Sequence, residues 1–172
     1  MAAFVHVDIG ATLDQWIAAL DDYNLQQLQA QPPDGGWSLG QVYMHLLNEA
    51  EYHLEQFTAA LSSSEQSQEE ATPEGRTMLN NNAFPDIRLE GPPENAAVPQ
   101  PESKSELTAA MLLLKEQFEK SLLMLSHDHR GKSKHPGLGY FSAREWLQFA
   151  DMHMRHHLRQ KERIDKAIGA TK

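Results

Sequence analysis

The sequence predicts an all-α fold, a four-helix bundle with a long connection between its second and third helices. Three observations carry this. Four segments place apolar residues at alternating steps of three and four, no segment reads as a strand of period two, and residues 63–102 form a polar stretch rich in Ser, Glu, Asn and Pro. One domain across residues 1–172 is expected, since this length buries a core without staples.

The first helix is expected over 12–31, with Leu13, Trp16, Ile17, Leu20, Tyr23 and Leu28 on one stripe, Thr12 as N-cap and Pro32-Pro33 at its end. The second is expected over 38–62, capped by Ser38, with its stripe through Tyr43, Leu47, Ala50, Leu54, Phe57 and Leu61. Within the long connection, "GRTMLNNNAF" has the composition of a short helix. The third helix, over 103–127, carries Leu107, Met111, Leu114, Phe118, Leu122 and Leu125 on one face. The fourth, over 142–168, opens on Ser142 and Glu145, the two ends of a capping box. The segment between the last two, "HDHRGKSKHPGLGYF", reads as a loop marked by Pro136 and its glycines.

Composition narrows the function. A formal net charge of -9 argues against an extended nucleic-acid or anionic-membrane surface. No run of eighteen apolar residues is present and the first residues lack the pattern of a signal peptide, so a cytoplasmic protein is expected. Cysteine is absent, which removes disulfides, thiolate metal sites and a cysteine nucleophile. Histidine appears nine times and is the residue type that carries chemical information.

In "FADMHMRHHLRQKERID" the rotation of about 100° per residue places His153 and His157 on one face, about 40° apart. Trp146, Phe149, Ala150, Ile164 and Ile168 cluster within roughly 60° of the same direction, so the pair faces the core. Two neutral imidazoles side by side are good ligands for zinc, nickel, copper or iron, and a shared ion resolves their competing hydrogen-bond needs. The structural alternative is a hydrogen-bonded or partly exposed pair. Met154 stands where a helical metalloprotease would need Glu, so that motif is excluded. His156 lies roughly 80° off and reads as a flank residue. A third ligand would come from the second helix, where His45 and His53 are the candidates. His45 lies opposite the expected stripe, beside Gln41, Glu49, Tyr52 and Gln56, on what reads as a polar face. His127 and His129 read as solvated, His135 as a turn residue, and His6 belongs to the N-terminal segment.

"WSLGQVYMHLLNEAE" followed after a gap by "HPGLGYFSAREWLQFADMHMRHHLRQKERI" resembles the DinB-like superfamily of four-helix bundles, also called YfiT-like. The resemblance rests on Trp37-Ser38 with His45 beyond, on the His-Pro-x-x-Gly turn, and on the His153–His157 pair followed by Gln160. It implies a metal held by one histidine of the second helix and two of the last: His45, His153 and His157. It also implies a metal-dependent enzyme in which a divalent transition metal, zinc or nickel foremost and iron next, binds a small thiol cosubstrate as thiolate for attack on an electrophilic small molecule. A hydrolytic variant with water as nucleophile uses the same residues. Glu49 is the candidate base or ligand partner. The alternative from another class is a non-catalytic bundle that binds metal or a partner, and a homodimer is consistent with the resemblance.

Overall fold

The computed structural model describes residues 8–87, 97–125 and 129–170; His6, His127 and the middle of the long connection lie outside them. Among the described residues the chain forms six α-helices and one short hairpin. The helices are α1 (Ile9–Ala19), α2 (Leu25–Gln29), α3 (Leu39–Ser62), α4 (Pro73–Asn81), α5 (Lys104–Met124) and α6 (Ala143–Ile168). The four long ones form the bundle. Helix α1 lies against α5 and α6, and α3 lies against the same two. Helices successive along the chain, α1 with α3 and α5 with α6, therefore face each other across a diagonal.

The first helical segment is broken where a single helix is expected. Asp8, not Thr12, caps α1 by accepting from the Ala11 amide. The helix tightens into a 3-10 turn at Leu20–Asp22, and Tyr23 is extended. Asn24 then restarts the chain as α2: its side chain accepts from Gln27 N while Gln27 Oε1 accepts from Asn24 N. Such a box satisfies two orphan helix donors at once and outweighs continuation of the apolar pattern. Thr12 is buried instead, and donates to Asp151 Oδ1 across 2.5 Å.

Ser38 caps α3 and Ser142 caps α6, each in a full capping box, with Gln41 and Glu145 as third helical residues. Such caps each contribute about 1 kcal/mol. On α5 the expected row Leu107, Met111, Leu114 and Phe118 is buried. On α3 the buried row is rotated from the expected one. It runs through Leu39, Val42, Tyr43, Leu46, Ala50, His53, Phe57 and Ala60, with Leu47 and Leu54 only half-buried. The rotation follows from packing, since α3 lies between α5 on one side and α6 with the hairpin on the other.

The loop expected before α6 contains strands β1 (Lys132–His135) and β2 (Gly139–Ser142), paired antiparallel from Lys132 with Ser142 to His135 with Gly139. Backbone of the long connection adds to this hairpin: Thr72 N donates to Leu138 O and Tyr140 N donates to Glu70 O. Ser133 Oγ donates to Gln56 O, and Phe141 enters the core, so the hairpin closes one end of the bundle over α3. The short helix expected in the connection is α4, capped by Thr72 with Pro73 in its first turn and ended by Asn82 in the left-handed region (φ 49°). No helix among the described residues is long and apolar enough to cross a membrane.

Candidate metal centre

Helix α6 turns His153 and His157 toward the bundle interior, and α3 brings His45 to meet them. Ring centroids are 4.5 Å apart for His153 and His157, 4.9 Å for His45 and His157, and 5.2 Å for His45 and His153. One nitrogen from each of the three lies within 4.8 Å of the other two, the one such convergence of His, Asp or Glu groups among the described residues. His45 and His157 are buried, and His153 nearly so. The face expected to be polar around His45 is thus turned toward α6, and the half-buried Trp37 ring lies 4.8 Å from the imidazole.

Electrostatics keep these imidazoles neutral. Burial pushes His45 down to about 4 and His157 to about 3. His153 is pushed well below the ordinary value by burial and then by its neighbour His157. All three are uncharged near neutral pH, the state in which imidazole binds metal. His157 Nδ1 hydrogen-bonds Gln160 Oε1 at 2.7 Å, and its Nε2 faces His153 Nε2 at 3.1 Å. With Gln160 as acceptor the proton sits on Nδ1, so Nε2 carries the lone pair. Ligand nitrogens around a tetrahedral zinc, at bonds of about 2.0–2.1 Å, are separated by about 3.3 Å. The donor set therefore fits a transition ion in ligand type and in its neutral state, and the His153–His157 pair fits it in spacing, with His45 within 4.8 Å of both.

Glu49 lies on α3 one turn beyond His45 and stands outside the converging trio. It is half-buried, and desolvation raises its carboxyl pKa. His156, the expected flank residue, accepts from Arg159 NH2 and packs on Phe84.

Three neighbours surround the site: His53, which the sequence offers as an alternative third ligand, and His135 and Phe84, which it does not place there. His53 is buried edge-on against His153, with centroids 5.6 Å apart, and burial pushes it to about 3. His135 ends β1 rather than occupying a turn, and it stacks on Trp146 at 5.7 Å. Phe84 covers His153 from the long connection at 5.7 Å. The eight-residue spacing of His45 and His53 is the signal that places His53, as the three-residue spacing of His157 and Gln160 places Gln160. Nothing local in the sequence marks Phe84.

Residues 9–160 match the profile of the DinB superfamily. The fold is similar to that of YfiT from Bacillus subtilis, described as a probable metal-dependent hydrolase with an unusual four-helix bundle topology. The two share 18% sequence identity with a TM-score of 0.59, over 94% of this chain and 82% of that one. No curated protein sequence matches this chain.

Proposed function

This chain belongs to the DinB superfamily, and from that premise we propose that it is a metal-dependent enzyme in which His45, His153 and His157 hold one divalent transition ion, zinc or nickel foremost. The observation that carries the reading is the convergence of three neutral imidazoles, two buried and one half-buried, from two helices distant in sequence, within 4.8 Å. A divalent ion held by three histidines keeps a coordination position open and lowers the pKa of a water or thiol placed in it.

The protein's own residues supply the rest. Gln160 holds the His157 tautomer that presents Nε2 inward. Trp37, His53 and Phe84 pack against the imidazoles and limit their exposure. Glu49, raised by desolvation and half-exposed beside His45, accepts the proton that the nucleophile loses. The substrate is a small molecule, and the nucleophile is water or a small thiol that arrives as cosubstrate. The lack of any cysteine supports the second option, because no protein thiol competes for the ion.

The test begins with metal content. Purified protein reconstituted with zinc or nickel is expected to hold about one ion per chain, lost in His153→Ala and His157→Ala while helicity persists. A folded protein that retains no metal would overturn the reading. Turnover is then sought with a panel of small esters and amides, and with small thiols plus an electrophile. Glu49→Gln is expected to keep the ion and lose turnover. A loaded wild type inactive on both panels would favour a non-catalytic metal-binding bundle.

A further inference from the structure

Resting on the assignment of the three histidines as ligands, we propose that Phe84 is a positioning residue of the metal centre. The long connection is clasped to α6 so that the Phe84 ring bears on His153, and this contact sets how firmly the ion is held and how readily water reaches it.

Helix α4 has nine residues, too few to persist unless docked. Its docking is built from α6. Gln148 Nε2 donates to Leu79 O at 2.7 Å and to Asn82 Oδ1 at 3.2 Å. Arg155 NH2 donates to Asn82 O at 2.9 Å and to Asn82 Oδ1 at 3.1 Å. Arg159 NH2 donates to Phe84 O at 3.2 Å, and Arg159 NH1 pairs with Asp86. These acceptors lie at or just beyond the C-terminal end of α4, where carbonyls have spare accepting capacity; Leu79 O also takes the Asn82 N–H. Arg155 is itself fixed by Asp151, whose other oxygen accepts from Thr12 of α1.

Gln148, Arg155 and Arg159 lie within about 20° of one direction on α6, opposite the face that presents His153 and His157. The connection is thus anchored to the outer face of α6 and reaches its flank with one aromatic side chain. There Phe84 packs on Phe149 at 5.1 Å, on His153 at 5.7 Å and on His156 at 5.3 Å, and is itself buried. Among the described residues the clasp makes no hydrogen bond to a candidate ligand: it meets His153 through the Phe84 ring, and it reaches His157 only indirectly, through His156, which accepts from Arg159 and packs on His157 at 5.3 Å.

The experiment uses the full chain loaded with cobalt(II), whose visible absorption reports coordination number, and follows transfer of the ion to a chelator. Phe84→Ala is expected to release cobalt about 10-fold faster, with a weaker visible band as water gains access, while helicity stays at the wild-type level. Phe84→Tyr, which keeps the ring, is expected to behave as wild type. Asn82→Gly keeps Phe84, suits the left-handed backbone at φ 49° and removes the acceptor shared by Gln148 and Arg155; it is expected to shift both readouts part of the way. That variant decides the matter if Phe84→Ala fails to fold. Wild-type release and spectrum in either folded variant would overturn the role of the clasp and leave the metal reading standing. A wild type that takes up no cobalt would overturn both.

Discussion

His157 commits its Nδ1 proton to Gln160, and that single hydrogen bond decides which nitrogen faces His45 and His153. Partners of this kind, hydrogen-bonded to a ligand imidazole, commonly account for 10–100-fold in metal affinity. Gln160→Ala is therefore expected to weaken zinc binding by about that factor, measured by competition with a chelator, while Gln160→Glu retains an acceptor and stays near wild type. Equal affinity in all three proteins would show that packing alone orients His157. His53 predicts the reverse pattern. It is buried edge-on against His153 without belonging to the converging trio, so His53→Phe is expected to keep the bound ion. At this scale the sequence exposes the inward pair, because rotation along α6 alone puts His153 and His157 among Trp146, Phe149 and Ile164. His45 needed the family resemblance. Its helix is buried on more than one side, and a single apolar stripe misreads such a helix as having a polar back.

The elements most plainly written in the sequence are those with both periodicity and a cap. Helices α3, α5 and α6 each start at a serine whose side chain accepts from the third helical residue, and the two capping boxes at Ser38 and Ser142 leave little freedom in where α3 and α6 begin. The hairpin lacks both signals. Four-residue strands are too short for a period of two to stand out, and their pairing depends on contacts remote in sequence, to α3 and to residues 70–72. Gly131 records that dependence. A Cβ there would fall on the carbonyl oxygens of Ser63 and Ala60, so the chain leading into β1 passes the end of α3 at backbone contact. Gly131→Ala is expected to cost about 2–3 kcal/mol, read as a lowered midpoint in denaturant titration with unchanged slope. A midpoint within error of wild type would show that this approach is looser than drawn. The break between α1 and α2 belongs to the same class: the box formed by Asn24 and Gln27 is local and legible, but an apolar stripe that continues through Tyr23 to Leu28 conceals it.

For the whole molecule, the buried histidines tie stability to pH in a window of their own. Burial lowers His45 to about 4 and His53 and His157 to about 3, from an ordinary 6.5. The unfolded chain therefore takes up protons on these groups first as pH falls. Their contribution is fully present above about pH 6.5 and is lost progressively as the pH drops toward their folded values. Each group contributes a slope of about 1.4 kcal/mol per pH unit inside the window, so the three together reach about 4 kcal/mol per unit. By pH 5 the three groups together remove about 6 kcal/mol, comparable to the lower part of the usual range of stabilities, about 5–15 kcal/mol, so the metal-free protein is expected to be strongly destabilised near pH 5. Most of this fall comes before carboxylates, with ordinary values near 4.5, protonate. Melting temperature measured from pH 8 to pH 4.5 tests it, and His53→Phe, which removes one of several titrating groups from outside the trio, is expected to flatten the curve in part. Bound zinc should raise the melting temperature at pH 7, since only the folded chain gathers ligands from α3 and α6. That increment must shrink through the same window, because protons and metal compete for the same nitrogens. A melting temperature level from pH 7 to pH 5 would mean that water reaches these imidazoles in the folded protein.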